Sequence, residues 1–411
     1  MMLHIFLFIV SFALMCFLLQ RISFLKDAGI ERKWLAVLFA IKVLAGISIG
    51  WISAKFYPEG NDYWTLNEYA KEEYQVLVNN PVEFFTSFFQ SPYQHYDGFF
   101  TSVGSFWNDL KNNIVIKFLA MCNLASGGNY YINSLFFGFI SFFGHVALFR
   151  IFYSLYPNRK MLIVFGAFLL PSALYFSSGI HKDCIVFTCL AVFSWCMFKA
   201  AEKFTRRRMA LIAVCTALIL FIRSHVLIAM VPASVAFLLA RKKRVRNAFA
   251  KTYAVCIILV IILSFSAYNP ITILSNKQKD FFALPVASSQ LSKDTLQPTA
   301  AGLLRNTPQA IAHGFAEPLP WKFSNDPLLL LGLEMFAYII LFVCWLFYHQ
   351  KTESNPILWY SVSLAIPLLL FAGYIVPNAG SIVRYRAIYL PYLLLPLLCT
   401  VKLGHIRLKN I

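Results

Sequence analysis

The sequence predicts an all-α membrane protein whose helices cross the bilayer about eleven times. Hydrophobic residues make up 59% of the 411 residues, and only 13% are charged. The mean hydropathy is +0.65. A soluble domain carries about 25% charged residues. We therefore expect a single transmembrane domain over residues 1–411, with a core that forms against lipid.

Apolar runs close to the ~20 residues that cross a bilayer recur along the chain. We place spans at 2–20, 35–53, 130–153, 160–176, 184–202, 209–222, 225–240, 250–268, 328–348, 357–376 and 386–402. Two of these runs are short and meet at Arg223-Ser224-His225, which predicts a hairpin whose tip lies below the outer membrane surface. Short or broken helices of this kind are tolerated where they line a cavity.

The basic residues give a formal net charge of +18 and cluster in short loops between the apolar runs. The clusters lie at 21–34, 158–160, 203–208, 241–246 and in the C-terminal tail. Strict alternation of the spans puts every cluster on one side, which the positive-inside rule assigns to the cytoplasm. Topology thus explains the charge, and we expect no nucleic-acid partner because no nucleic-acid-binding motif is present.

Two long loops are expected on the outer side of the membrane. The loop at 54–115 is acidic and carries aromatic residues at helical spacing, which predicts two or three helices lying in the interface, with 114–124 among them. The loop at 269–326 is rich in proline and is expected to be irregular, with one or two short helices.

Positively charged and histidine residues flank the spans at three places that the alternation puts on the outer side. Charge in hydrocarbon costs about 2.5–3.5 kcal/mol per residue on insertion scales, so it usually marks a function. We interpret them as ligands of a substrate phosphate: His181, Lys182, Arg223, His225, Arg384 and Arg386. Two alternatives stay open, a headgroup anchor for Lys182 and an acid partner for Arg223, with Glu334 available as that partner.

Two acidic residues could act as a catalytic base. Asp62 lies just beyond the second span and could take a proton from an acceptor hydroxyl, while Asp97 is a second candidate. Asn61 or Asp62 could equally be the N-cap of a helix. No nucleotide-binding, zinc-protease or serine-hydrolase motif is present. The nine cysteines form no CxxC pair and are expected to be small core residues, neither disulfides nor metal ligands. We predict no cofactor, although a divalent metal is possible.

The layout resembles the GT-C superfamily of membrane glycosyltransferases, particularly bacterial relatives of the protein O-mannosyltransferase and aminoarabinose transferase type. Asp62 matches the acidic residue that this family carries just after the helix leading into the first outer loop. Ala70, eight residues later, matches the small residue that is usual there. The segment RYRAIYLPYLLLPLL resembles the Arg-Tyr and Leu-Pro motif near the C-terminus of the superfamily. Leu66 replaces the aromatic residue of the family, Tyr63 replaces a frequent second acid, and one extra helix precedes the loop.

The resemblance implies an inverting glycosyltransferase of cell-envelope polysaccharide biosynthesis in the bacterial inner membrane. It would move a sugar from a polyprenyl-phosphate carrier to a lipid, glycan or protein acceptor on the periplasmic face. Asp62 would act as general base, and the outer cations would stabilise the leaving phosphate. An O-antigen or exopolysaccharide polymerase is an alternative. A flippase or transporter of an anionic lipid is another, which we disfavour because no inverted repeat is evident and transporters hold charges near mid-membrane.

Overall fold

A computed structural model describes residues 2–57, 61–87, 106–242, 244–284, 289–323, 328–350 and 355–402. Within these ranges the chain is helical and forms no β-strand. The helices are α1 (Met2–Arg21), α2 (Ser23–Lys26), α3 (Arg32–Phe56), α4 (Asp62–Asn79), α5 (Pro81–Thr86), α6 (Phe106–Ser126), α7 (Tyr130–Tyr153), α8 (Lys160–Val164), α9 (Pro171–Phe176), α10 (Lys182–Glu202), α11 (Arg206–Arg223), α12 (His225–Arg241), α13 (Ala248–Leu263), α14 (Pro270–Phe282), α15 (Ala300–Phe315), α16 (Leu328–Phe347), α17 (Pro356–Ile375) and α18 (Ala379–Thr400).

Seven of the described helices are long and apolar enough to cross a membrane. They are α1, α3, α7, α10, α16, α17 and α18, while α12 and α13 are shorter apolar helices. The predicted all-helical membrane class is therefore confirmed. The number of about eleven crossings stays a prediction.

The span predicted at 160–176 is not one continuous helix. Residues 160–164 form α8, residues 165–169 form a π-type turn, and Leu170 is extended (φ −63°, ψ 116°) before α9 begins at Pro171. Proline has no N–H to donate, and its ring disfavours helical angles at the preceding residue. Hydropathy cannot distinguish this broken segment from a continuous helix because every part of it is apolar.

The backbone at Arg223-Ser224-His225 also differs from the expected hairpin. Only Ser224 separates α11 from α12, and its angles are helical (φ −51°, ψ −33°). Two antiparallel helices are joined by a loop of about 2–5 residues, more than the single residue found here. The predicted alternation of the loops between the two sides of the membrane depends on a reversal of the chain at Ser224. The sides of the loops before and after this residue therefore stay predictions.

The segment predicted as the first outer loop, 54–115, contains α4, α5 and the beginning of α6 in its described part. The short segment predicted at 114–124 belongs to the 21-residue helix α6, which is not among the candidate spans. Lys117 on this helix is buried, and its ammonium lies 2.6 Å from Glu73 Oε2 and 2.9 Å from Ser87 Oγ. The predicted irregular loop at 269–326 contains the regular helices α14 and α15. Asp97 lies outside the described residues.

The chain divides into two compact units. Unit 1 comprises 1–151 and 173–227, and unit 2 comprises 152–172 and 228–411. In unit 1 a buried asparagine network joins α4, α6 and α7, because Asn133 Nδ2 donates to Asn67 Oδ1 at 2.8 Å and to Asn123 Oδ1 at 2.7 Å. This network fixes the helix that begins at Asp62.

Candidate functional site

The acidic residue of the candidate site stands at the first position of α4. Asn61 is the N-cap of this helix, because its side chain accepts the backbone N–H of Tyr63 at 3.2 Å. Asp62 is therefore not needed as the cap, and its side chain is 53% exposed. A carboxylate in this position can meet a substrate from the solvent side.

The turn between α9 and α10 brings an imidazole to this carboxylate. The turn packs closely on α3, since a Cβ on Gly179 would lie 2.7 Å from Ile49 Cγ2. Ile49 lies seven residues before the end of α3 at Phe56, which corresponds to about 10 Å along the helix. Tyr63 covers the other side, with its ring centroid 5.2 Å from that of His181. The turn is thus recessed along α3.

Four side chains follow one another from the surface into the interior of unit 1. His181 Nε2 lies 3.6 Å from Asp62 Oδ2, and His181 Nδ1 lies 3.0 Å from Asp183 Oδ2. The other carboxylate oxygen of Asp183 accepts a hydrogen bond from Arg223 Nη2. The side chains of His181 and Asp183 are each only 1% exposed. From the surface inward, the order is therefore an exposed carboxylate, a buried imidazole, a buried carboxylate and a buried guanidinium.

This surrounding gives His181 a partner in either protonation state of Nδ1. When Nδ1 carries no proton it accepts the backbone N–H of Asp183 at 3.2 Å, and Nε2–H then faces Asp62. When Nδ1 carries a proton it faces Asp183 Oδ2 at 3.0 Å. A base oriented by a buried acid and adjacent to a second, exposed acid can take up and pass on a proton.

Lys182 and His225 are the other two predicted phosphate ligands in unit 1. Lys182 Nζ donates to Asn112 Oδ1 of α6 at 2.7 Å. The half-buried His225 lies within electrostatic range of Arg223, Lys111 and Asp183. Four of the six predicted phosphate ligands therefore lie in unit 1, at the ends of α10, α11 and α12, together with Asp62.

Two buried residues of unit 1 that lie at or near the site were not predicted from the sequence. Asp183 is the acid that pairs with Arg223; its only sequence signal is that it follows Lys182 directly. The other is Lys42, whose ammonium lies 3.0 Å from His145 Nε2, 3.0 Å from Ser177 O, 2.9 Å from Ser177 Oγ and 3.2 Å from Ser178 Oγ. The signal for Lys42 is a lysine within an otherwise apolar span.

The remaining predicted ligands lie in unit 2. Arg386 is 1% exposed, and its Nη1 donates to Glu317 O at 2.6 Å and to Gly314 O at 3.4 Å. Gly314 lies in the last turn of α15, and Glu317 follows the helix by two residues. Arg384 is half-buried, with its guanidinium 5.9 Å from the ring centroid of Tyr385. Of the two arginines, Arg386 is thus the one held by the protein backbone.

Glu334 is also bound within unit 2. Its carboxylate accepts hydrogen bonds from Ser172 N at 3.0 Å, from Ser172 Oγ at 3.0 Å and from the hydroxyl of Tyr338 at 2.5 Å. Three donors satisfy this acid at the beginning of α9. The sequence offers Glu334 as a partner for Arg223, whereas each of the two residues has its own partners within its own unit.

The segment predicted as the second outer loop, 269–326, holds two titratable groups whose pKa values are lowered by burial. Lys293 Nζ donates to Gly373 O and, at 3.0 Å, to Val376 O, at the end of α17. Burial lowers the pKa of Lys293 to about 7. Burial, followed by the charge of Lys293, lowers the pKa of His313 to about 4. Both groups therefore favour their neutral forms around pH 8.

Among the described residues, no group of three or more histidine, cysteine, aspartate and glutamate side chains could hold a metal ion. Comparison of the chain with models of protein families, with curated proteins and with solved structures returned no match. The function must therefore be argued from the side chains of the site itself.

Proposed function

We propose that this chain is a membrane glycosyltransferase that uses a sugar carried on a polyprenyl phosphate. The single observation that supports this function is the position of Asp62. Its half-exposed carboxylate lies 3.6 Å from the buried imidazole of His181, and Lys182, a cation, directly follows His181 in the chain. Acyl and phosphoryl transfer chemistries depend on other residue types, such as an activated serine or a bound nucleotide, and the sequence contains no motif for either.

The reaction can be written with these residues. The acceptor oxygen attacks the anomeric carbon of the sugar, and the bond from that carbon to the carrier phosphate breaks. The bonding electrons leave with the polyprenyl phosphate, and the acceptor proton passes to the carboxylate of Asp62. Direct attack inverts the configuration at the anomeric carbon.

Lys182 would neutralise the charge that develops on the leaving phosphate. Its ammonium donates to the side chain of Asn112, which holds it beside the turn. Arg223 has a different role in this proposal, because it neutralises Asp183 and so keeps that acid ionised next to His181. On the sidedness expected from the sequence, transfer would occur at the periplasmic face of a bacterial inner membrane, to a glycan, lipid or protein acceptor.

The test measures release of polyprenyl phosphate, a product that is common to every sugar and acceptor. Membrane vesicles containing the protein are supplied with undecaprenyl-phosphate-linked mannose or aminoarabinose. The Asp62→Asn variant should lose about 100-fold or more of the release rate, as expected for removal of a general base. Glu68→Gln is the matched control, because Glu68 is an exposed acid on the same helix that pairs with Lys71 at 2.8 Å; it should retain the wild-type rate.

Full release by Asp62→Asn would contradict Asp62 as the base. Absence of release from either carrier by the wild type, compared with vesicles lacking the protein, would contradict the transfer reaction for these sugars.

A transporter of an anionic lipid is the second candidate, and one observation favours it. Lys42 and His145 lie buried against each other within α3 and α7, two helices long enough to span the membrane. Transporters carry ionisable side chains at such depth. Fluorescent phosphatidylglycerol in proteoliposomes tests this candidate: faster flipping with the wild type than with Lys42→Met would support it, and equal rates with and without protein would remove it.

A further inference from the structure

Lys42 is a buried lysine of unit 1 that takes no part in the reaction proposed above. Its side chain is 1% exposed at the eleventh of the 25 positions of α3. In the described part of the chain, the atoms that its side-chain nitrogen contacts are one imidazole nitrogen and three oxygens, none of them a carboxylate. A lysine is rarely fully buried without a charged partner, so these contacts need an explanation.

The contacts of Lys42 concentrate on one short segment. Three of them go to Ser177 and Ser178, the residues that follow α9 and precede Gly179. A carbonyl beyond a helix end is partly negative and suits an ammonium. Further bonds fix the same segment, because Ser141 Oγ donates to Ser177 O at 2.7 Å.

The backbone between Lys42 and the candidate site is short and tightly packed. A Cβ on Gly46, one turn after Lys42, would lie 2.8 Å from Ser178 O, so the turn touches the α3 backbone itself. His181 follows Ser178 by three residues. The turn is thus held at one end by Lys42 and at the other end by the pairing of Asp183 with Arg223, and the imidazole lies between these two fixed points.

We infer that Lys42 is a positioning residue, which fixes the turn at 177–181 and thereby holds the imidazole of His181 between Asp62 and Asp183. Lys42 touches no reacting atom. It acts through the hydroxyls and the carbonyl of the two serines, and its effect reaches the site through three residues of backbone. The claim that Lys42 supports sugar transfer rests on the proposed function. The claim that Lys42 fixes the turn at 177–181 does not depend on that function.

Hydrogen exchange measured by mass spectrometry on the full chain in nanodiscs tests the structural part. Lys42→Met removes every N–H donor at nearly constant length, and amides of residues 177–183 should then exchange about tenfold faster or more. Lys42→Arg keeps the donors and the charge and should stay near the wild-type rate. Lys55→Met is the matched control on the same helix, because Lys55 is exposed near its end, over the rings of Trp51 and Phe56.

Two results would overturn the inference: unchanged exchange at 177–183 in Lys42→Met, or exchange in Lys42→Arg as fast as in Lys42→Met. If Lys42→Met does not accumulate, Ser177→Ala replaces it, since that change removes the hydroxyl shared by Lys42 and His145. This variant should also loosen 177–183 and leave the rest of α10 unchanged.

The release assay then separates the two proposals. Faster exchange together with a loss of kcat in Lys42→Met, restored by Lys42→Arg, supports positioning for transfer. Faster exchange in a protein whose wild type releases no polyprenyl phosphate contradicts the transferase and leaves the role of Lys42 in holding the turn supported.

Discussion

Two basic side chains of the candidate site in unit 1 and the basic side chains Arg386 and Lys293 of unit 2 have different partners. In unit 1, Arg223 and His181 contact the carboxylate of Asp183, and His181 also faces the exposed Asp62. In unit 2, Arg386 and Lys293 donate to backbone carbonyls at the ends of α15 and α17. Helix ends leave carbonyls without intrahelical partners, which N–H donors of side chains can satisfy. The two basic side chains of the candidate site in unit 1 thus contact carboxylates directly, whereas Arg386 and Lys293 donate to backbone carbonyls.

The largest expected loss of stability is that of Arg223→Met, and Arg386→Met is the variant with which we compare it. Arg223→Met leaves the buried carboxylate of Asp183 without its cation, which should cost about 3–5 kcal/mol of unfolding free energy. Arg386→Met removes the donor to the carbonyls of Gly314 and Glu317, at about 1–3 kcal/mol. The carboxylates of Glu317 and Glu334 lie within electrostatic range of Arg386 but keep donors of their own, Lys322 and Ser172. Unfolding in mixed micelles by added SDS measures both values.

The double variant Arg223→Met with Asp183→Leu should recover most of the stability lost by the single change, because it removes both charges. Equal losses for Arg223→Met and Arg386→Met, or no recovery in the double variant, would show that the two cations do not differ in kind.

Asn133 offers an uncharged comparison within unit 1. Asn133→Leu removes the donor for Asn67 and Asn123 and should cost about 1–3 kcal/mol, less than the loss of Arg223. Because the network holds α4, exchange of amides in residues 62–79 should increase as well. Unchanged exchange there would mean that other contacts fix the helix that carries Asp62.

The free energy of unfolding should depend on pH through Lys293 in unit 2. Its pKa is about 7 in the folded chain and 10.5 when the side chain is free in water, so folding releases a proton between these values. Stability should therefore increase as pH rises from about 7 to 10.5, and fall as pH drops through that window, by at most about 1.4 kcal/mol per pH unit. Melting curves of the wild type and of Lys293→Met check this: the difference between them should change with pH across the window and stay constant below about pH 6.

The smallest effect is expected at Arg384, which is half-buried beside Tyr385. Arg384→Gln removes the cation beside the ring of Tyr385 and should lower the unfolding free energy by about 0.5–1 kcal/mol, the range of such a contact outside a fully desolvated site. A loss as large as that of Arg386→Met would mean that Arg384 also holds the fold. Release of polyprenyl phosphate by this variant tests the phosphate-binding role predicted from the sequence.

The sequence predicts the class of the fold and most of the residues of the site in unit 1. Asp62, His181, Lys182 and Arg223 stand out because each is a charged or titratable residue beside an apolar run, and the structure brings them to neighbouring elements. Asp183 did not stand out, since an acid in the first turn of a helix is an ordinary stabilising feature. Lys42 did not either, because one lysine barely lowers the hydropathy of a long apolar span.

Features that depend on backbone geometry are harder to predict. The break at Leu170 has a signal in Pro171, which hydropathy alone does not use, whereas the helical angles of Ser224 have no such signal. The binding of Arg386 by carbonyls at the end of α15 depends on tertiary contacts between segments about 70 residues apart. Sequence patterns report residue types near a span, and they do not report which partner each residue meets.

The most direct test is an experimental structure of the protein in nanodiscs with undecaprenyl phosphate. We predict phosphate density within hydrogen-bonding distance of Lys182 Nζ, on the side of the turn that faces Asp62. Phosphate density only at Arg384 or Arg386, with none beside Lys182, would contradict the proposed site.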